Sequence, residues 1–373
     1  MELKDIRKVE NLKGKRVLLR SDLNVPIKDD KIINDFRLIK ALETINFLRE
    51  SGAKVVLMGH RGRDKKSLSL VYEYFKERIS LAFAGEVLGE KTTSLVESMN
   101  DGDVVILENL RTDNREIEND NDFAKELASL ADVYVNDAFS VSHREHASVV
   151  GVPKYLPSYT GILFQEEVKE LSEALNPLSP SLCILGGAKF ETKEPLVKKL
   201  LNVYSNVFVS GALAHHFFKS KGFNIGVSLS SDTGVDIEEL VNNKKIMIPI
   251  DVVVANKDGM FVKKPNEVSN EDNIADSGPE TVKKLKEIVK DFKFVLWNGP
   301  LGEYEKGFTN PTEELALALS ESSAKTLIGG GDTVAAIEHL GLDDKFDFIS
   351  TGGGAMLKFL LNGTLVGIEA LKD

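Results

Sequence analysis

The chain has 373 residues, of which 42% are hydrophobic and 28% charged, and its formal net charge is −11. That length exceeds what one hydrophobic core sustains, about 250–300 residues, so two domains are expected, and the ordinary globular composition excludes a large disordered segment. The acidic balance argues against a nucleic-acid surface or an anionic membrane as partner, and no run approaches the ~18 apolar residues of a membrane span.

The opening stretch, MELKDIRKVENLKGKR, lacks the apolar run of a signal peptide. The single cysteine, Cys183, lies inside the apolar SLCILGG, so there is no disulfide framework and the thiol reads as a packed strand residue. A soluble, cytoplasmic protein is expected.

In chain order, short β-branched runs each pass into a polar or glycine-bearing turn and then a helix-like stretch. The first are RVLLRSDLN (16–24), KVVLMGHRG (54–62), DVVILENLR (103–111) and DVYVNDAF (132–139). PSYTGILFQEEVKELSEALNPLSP (157–180) then carries apolar residues at 162, 163, 168, 171 and 175, which predicts a helix bracketed by prolines and a connector between domains. The second half continues with LCILGGAK (182–189), NVFVSGA (206–212), KIMIPID (245–251), FVLWNGP (294–300), TLIGGG (326–331) and FDFISTGGG (346–354). Near-continuous apolar strands alternating with helices predict parallel sheets covered on both faces, an α/β, doubly wound class. No short fixed period recurs, which excludes a solenoid.

Ligands of open α/β sheets bind beyond the carboxyl ends of the strands, and there the two halves differ in kind. The first half offers Arg20, Asp22, Asn24, His60, Arg63, Arg111, His143, Arg144 and His146; the second offers Gly186, Gly187, Lys189, Gly211, Gly299, Gly302, Gly329 to Gly331 and Gly352 to Gly354. Any one arginine alone reads as a solvated surface charge. Several converging on one crevice of an acidic protein suit a small polyanion, because guanidinium forks bind phosphate and carboxylate bidentately. His143 and His146 have a spacing a metal could use, but no cysteine or carboxylate cluster accompanies them. His215 and His216 read as structural residues early in a helix.

Glycine turns between strand and helix expose backbone N–H groups and a helix N-terminus to an anion. Neither the G-x-x-x-x-G-K-[ST] pattern nor a clean G-x-G-x-x-G is present, so a nucleotide reading rests on several turns together. Asp332 either caps its helix or serves a Mg2+ ion beside phosphates. Lys189 and Lys193 in isolation are ordinary helix lysines.

Taken together, VLLRSDLNVP (17–26), GHRGRD (59–64), ILENLR (106–111), VNDAFSVSHREHAS (135–148), ILGGAKFETK (184–193), WNGPLGEYE (297–305), GGGDTVAAIE (329–338) and ISTGGGA (349–355) resemble the phosphoglycerate kinase family over nearly the whole chain and in order. The R-x-D-x-N-x-P segment from Arg20 to Pro26 is specific to that family. The resemblance implies two similar-sized Rossmann-like domains joined by a helix with a cleft between them. These are a triose-phosphate domain over 1–158, the helix and hinge over 159–175, a nucleotide domain over 176–350, and a segment over 351–373 returning to the first domain. It implies a monomer in glycolysis and gluconeogenesis that moves a phosphoryl group reversibly between 1,3-bisphosphoglycerate and MgADP, giving 3-phosphoglycerate and MgATP, after hinge-bending closure. No nucleic-acid or membrane partner is implied.

By matching motif positions, the triose site would hold Asp22, Asn24, Arg37, His60, Arg63, Arg111 and Arg144, with His143 and His146 nearby. Arg37, which INDFRLIK presents as a surface arginine at a helix start, would act on the transferring group with Lys189 and the amides of Gly352, Gly353 and Gly354. Lys193 would contact the nucleotide phosphates, as would Gly330, Gly331 and Thr333, with Asp332 on Mg2+. Gly187, Gly211, Asn298 and Pro300 would border the nucleotide, and Glu305 would take the ribose. The alternative is a silent or substrate-shifted homologue that binds nucleotide and a small phosphorylated acid.

The chain departs from the family pattern in places. It is trimmed after RGRDKK (61–66), Arg61 and Asp64 replace the usual apolar residue and proline around the H-x-G-R core, and Ser210, Glu303 and His215–His216 differ around the adenine pocket. Met356 stands where a small polar residue is usual; it either packs inward or faces the crevice and alters the transfer site.

Overall fold

The computed structural model describes residues 3–187, 190–230 and 237–372, with backbone only at 190–192 and 238. Contacts divide the chain into two compact units, Met1–Lys169 with Thr364–Asp373, and Glu170–Gly363. Among the described residues no helix is long and apolar enough to cross a membrane.

The first unit contains strands β1 (Arg16–Ser21), β2 (Ile27–Lys28), β3 (Lys31–Ile32), β4 (Lys54–Met58), β5 (Ala82–Phe83), β6 (Val104–Ile106), β7 (Val133–Asp137) and β8 (Ser158–Thr160). Six of these form one parallel sheet in the order β5-β6-β4-β1-β7-β8, while β2 and β3 make a small antiparallel hairpin. Helices α1 (Phe36–Glu50), α2 (Ser69–Lys76), α3 (Glu90–Glu97) and α4 (Asn121–Ser129) connect them. Strand residues Val17, Leu19, Val55, Leu57 and Ile106 pack against Leu38, Ala41, Ile45 and Phe75 of the helices. Apolar side chains on both faces of β1 and β4 are buried, which is why those strands read as unbroken hydrophobic runs.

Helix α5 (Ile162–Ala174) starts where the proline-bracketed pattern put it, and the boundary between units falls within it. Its first turn is held by Thr44 Oγ1, which accepts from Ile162 N–H at 3.0 Å, and by Asp137 Oδ1, which accepts from Phe164 N–H at 3.0 Å. Burial, more than the nearby Glu43 and Glu166, pushes the Asp137 carboxyl up to about 7.

The second unit has β9 (Ser181–Leu185), β10 (Asn206–Val209), β11 (Ile246–Met247), β12 (Val252–Asn256), β13 (Gly259–Lys263), β14 (Asn273–Ser277), β15 (Phe294–Asn298), β16 (Lys325–Gly329) and β17 (Phe348–Ile349). A parallel sheet runs in the order β11-β10-β9-β15-β16-β17. Numbered within itself that order is 3-2-1-4-5-6, the dinucleotide-binding arrangement, with its switch point between β9 and β15. Helices α6 (Phe190–Leu201), α7 (Ala212–Ser220), α8 (Glu238–Val241), α9 (Pro279–Ile288), α10 (Asn310–Ser320), α11 (Gly331–His339) and α12 (Gly354–Asn362) follow or flank the strands. Helix α13 (Val366–Glu369) belongs to the first unit, where Gly367 N–H reaches Ser142 O at 2.8 Å.

Strands β12, β13 and β14 form a separate antiparallel sheet that the all-parallel reading missed. It packs Val252, Val254 and Ile274 on Ala214 and Phe218 of α7. Its outer strand, GMFVK, is exposed and short, so it lacks the buried run by which the parallel strands announce themselves. Cys183 is buried in β9, and burial raises its thiol well above the usual range; it is a packing residue.

Candidate functional site

In the first unit the site grows from the carboxyl ends of β1, β4, β6 and β7. Directly after β1, Asp22 Oδ2 lies 3.2 Å from Arg37 Nη1, and the same nitrogen donates to Asn24 O at 3.1 Å. Asn24 Oδ1 accepts from Gly62 N–H at 2.8 Å, which ties the loop after β1 to the loop after β4. Arg37 is brought here by the β2–β3 hairpin. Asp29 and Asp30 both have positive φ, as a mirror-image two-residue turn requires, so Ile27 and Ile32 pair and the chain returns to the loop after β1, where Ile33 N–H reaches Pro26 O at 3.1 Å, before α1 begins. The I-K-D-D-K-I stretch was thus the sequence signal for Arg37.

His60, after β4, is buried, and its Nδ1 lies 3.1 Å from Arg20 Nη2. Arginine only donates, so Nδ1 accepts and Nε2 carries the ring hydrogen. Burial, followed by the charges of Arg20 and Arg111, holds the imidazole well below its ordinary pKa and therefore neutral. The structure corrects the position of Arg20: it is wholly buried, donating to Ser148 Oγ at 3.0 Å and Ser21 O at 2.6 Å, so it braces His60 rather than offering its fork to a ligand.

A buried carboxylate missed by the sequence reading, Glu116, balances part of this charge. It accepts from Ser148 N–H at 2.9 Å and Ser148 Oγ at 2.6 Å and lies 3.6 Å from His146 Nδ1. Burial works against its ionised form, but His146, Arg20 and Ser148 together hold it below the usual carboxylate range. Arg111 Nη1 donates to Gly62 O at 2.6 Å while its Nε is buried without a partner. Burial first, then Arg144, Arg20 and Arg63, lowers its pKa to about 10. Half-buried Arg144 donates to His143 Nε2 at 3.3 Å, and Arg63 is exposed. Cations close enough to depress one another form a place that an incoming dianion would stabilise. Among the described residues no three His, Cys or carboxylate groups gather as a metal site, His143 and His146 included.

The second unit presents backbone instead. After β9, a Cβ on Gly186 would run into Pro300 O, and at the neighbouring switch-point strand Gly299, with φ +98°, a Cβ would meet Gly186 O at 2.6 Å. The two turns can approach only without side chains. Gly187, Gly211, Pro300, Glu305 and Asp332 line one cavity of about 370 Å3. Lys193 curls back so that Nζ donates to Gly186 O, and burial brings its pKa down to about 8. Lys189 lies outside the described residues.

Asn298 and Thr333 are buried and brace these turns. Asn298 O accepts from Gly186 N–H at 2.9 Å, and Thr333 Oγ1 accepts from Gly299 N–H at 3.0 Å. Asp332 is exposed in the first turn of α11, directly after Gly330 and Gly331. The two glycine triplets separate on geometry. Gly329 serves packing, because a Cβ there would collide with Met356 Sδ, whereas a Cβ on Gly331, Gly353 or Gly354 meets nothing within 4 Å. Gly352 N–H donates to Ser350 Oγ at 3.0 Å, and Gly353 turns into α12 with φ +50°. Met356 is fully buried, its sulfur 3.6 Å from Asn298 Nδ2, so it packs inward.

Residues 4–363 match the family profile described as phosphoglycerate kinase. The chain belongs to the phosphoglycerate kinase family. It is 43% identical over 389 aligned residues to the phosphoglycerate kinase of Clostridium botulinum (strain Hall), covering 97% of each chain. It is 40% identical over 398 to that of Thermosipho africanus, covering 100% of this chain and 98% of the other. Among solved structures, phosphoglycerate kinase from Pyrococcus horikoshii superposes with a TM-score of 0.88 at 30% identity, covering 99% of this chain and 98% of that one. The Coxiella burnetii enzyme gives 0.85 at 34% identity and 99% coverage of both. Membership of the phosphoglycerate kinase family agrees with the α/β architecture and with a division into a cation-rich and a glycine-rich site.

Proposed function

We infer that the chain carries out its family's reaction, reversible phosphoryl transfer from the acyl phosphate of 1,3-bisphosphoglycerate to MgADP, giving 3-phosphoglycerate and MgATP. The observation that carries the reading is the gathering of Arg63, Arg111 and Arg144 at the strand ends of a protein of net charge −11, where burial first and the neighbouring cations second bring Arg111 down to about 10. Such a cluster suits a small polyanion.

In this reading Asp22 and Asn24 take the glycerate hydroxyl and carboxyl end, while the Nε2–H of His60 and the forks of Arg63, Arg111 and Arg144 hold the remote phosphate, near His143 and His146. The acceptor is already a carboxylate, so no general base is needed. Transfer passes through a loose transition state with charge on three equatorial oxygens, and positioning and electrostatics carry the rate. Arg37, Lys189 and the amides of Gly353 and Gly354 supply that positive surround, joined by Gly352 once its N–H leaves Ser350 Oγ. Lys193, with its cation desolvated, gains from an arriving nucleotide phosphate, Gly330, Gly331 and Thr333 border the phosphates, and Glu305 takes the ribose.

Asp332 is one exposed carboxylate beside a glycine turn, a donor set that fits a Mg2+ ion carried in by the phosphates, since Mg2+ keeps several waters and takes one or two protein carboxylates. Bound there, the ion would neutralise charge on the phosphates. Because the two sets of groups belong to separate units, transfer requires them to be brought around one phosphoryl group with water excluded. We put the hinge at 157–175 and near Thr351, and take the acting form to be a cytoplasmic monomer.

The test is to mix the protein with 3-phosphoglycerate and MgATP and follow acyl phosphate by coupling it to reductive dephosphorylation. Turnover is expected; none above background in folded protein would overturn the reading. Small-angle scattering should show compaction only with both substrates bound.

A further inference from the structure

We propose that His215 is a specificity-determining residue that reads the nucleobase, its Nε2 acting as a fixed hydrogen-bond acceptor that selects a purine with a 6-amino group over one with a 6-carbonyl. The proposal rests on the nucleotide site inferred above. His215 sits one turn into α7 from Gly211 and lines the same cavity as Gly187 and Asp332, together with the apolar Phe218, Leu229, Val252 and Ile274. An apolar slot of that kind suits a flat heterocycle, with a few polar groups to fix its orientation.

The ring's tautomer follows from one contact. Nδ1 lies 2.7 Å from Leu229 O, and a carbonyl only accepts, so Nδ1 carries the hydrogen and Nε2 keeps a lone pair. Burial lowers the pKa, outweighing the Leu229 bond, and the ring stays neutral near pH 7. Nε2 makes no hydrogen bond among the described residues, yet it is not one of the sealed, unsatisfied atoms, so it opens on the cavity that the ring lines.

Three other polar side chains of that cavity are already held by partners or sealed from it. Glu303 Oε1 takes Lys306 Nζ at 2.8 Å and Oε2 takes Asn273 Nδ2 at 3.1 Å. Asp276 Oδ1 accepts Ser277 N–H at 2.8 Å while its Oδ2 is sealed, and Ser277 Oγ donates to Leu301 O at 3.3 Å. The lone pair of His215 therefore meets either a donor, the 6-amino group of adenine, or another lone pair, the 6-carbonyl of hypoxanthine. A buried polar group left unpaired is what makes such sites discriminate.

The test uses ADP and IDP, which differ in that ring position and its neighbouring ring hydrogen, with titration calorimetry and steady-state kinetics on the full chain. Wild type should prefer ADP, and His215→Ala should lower the ADP-to-IDP ratio by about tenfold, chiefly by weakening ADP. His215→Gln, whose amide oxygen can accept, should restore part of the ratio. Equal weakening of both nucleotides, or an unchanged ratio in folded His215→Ala and His215→Gln, overturns the role of His215 and leaves the nucleotide site standing. If wild type binds neither nucleotide, the site and this proposal fall together.

Discussion

In the proposed reading the two units meet the same electrostatic task at equivalent places on their sheets and solve it differently. In the first, side chains do the work: Arg111 and Arg144 crowd together, Arg20 is buried to hold His60, and Glu116 is buried to offset the charge. In the second, the turns after β9 and β15 are stripped to glycine so that backbone meets backbone. Side-chain cations give strong, directional binding but cost desolvation and mutual repulsion. Bare turns cost conformational entropy instead and leave little for a point substitution to remove except the glycine itself.

The sharpest way to break this comparison is Arg37→Ala, since the proposal has the first unit bind through side chains. Replacing it should lower kcat by roughly 10²–10³, because a contact that strengthens in the transition state acts on rate. Steady-state kinetics in 3-phosphoglycerate decides it. A change confined to KM would mean that Arg37 serves ground-state binding alone.

Next in size is a pair of alanines in the second unit. Gly186→Ala puts a Cβ into Pro300 O and should cost several kcal/mol, roughly 3 or more, or abolish folding. Gly331→Ala meets nothing within 4 Å and should leave thermal stability within about 0.5 kcal/mol while raising KM for ATP. Equal stabilities for the two variants would show that the switch-point glycines are not there for close approach.

The same contrast explains what could be read from the sequence. Parallel strands were legible because burial on both faces leaves unbroken apolar runs such as VVLM and VLW, and the glycines of the second unit are visible as letters. Arg37 was reached only through the family resemblance, because its place depends on a hairpin between Ile27 and Ile32 that returns the chain to the loop after β1. Glu116 and the burial of Arg20 were not legible, since a charged residue looks the same in sequence whether it is solvated or locked in a network. The triplet Gly329 to Gly331 reads as one motif, yet its first glycine makes room for Met356 and its last opens on solvent.

A pH prediction contrasts two buried carboxyls, Asp276 and Glu116, one beside each site. Asp276 is buried in the cavity wall, and burial first, then Glu303, raises its pKa to about 8, against ~3.9 for an unfolded carboxyl. Between those values the folded state holds a proton that the unfolded chain has released. Its stabilising contribution is complete below the unfolded value and lost as pH rises through about 8, at no more than ~1.4 kcal/mol per pH unit. Glu116 runs the opposite way: its lowered pKa gives stability above the ordinary carboxyl range that is lost on acidification. Asp276→Asn should therefore flatten the decline of stability between pH 5 and 8. Trp297, the single tryptophan and buried in β15, reports it by fluorescence. An unchanged slope would mean that Asp276 is ionised in the folded protein.

The smallest expected effect concerns Ser210, which departs from the family pattern. Its hydroxyl donates to Pro300 O at 3.3 Å, a long contact to the carbonyl that already limits Gly186. Ser210→Gly removes that bond without leaving a buried donor unpaired, so the loss should stay within about 1 kcal/mol. If the second unit binds through backbone, KM for ATP should also barely move, because Ser210 is fully buried and the neighbouring Gly211 keeps its φ of +57°. A large rise in KM would mean that the hydroxyl fixes the Pro300 turn against the nucleotide. The second unit would then depend on a side chain after all, and its difference from the first would be one of degree.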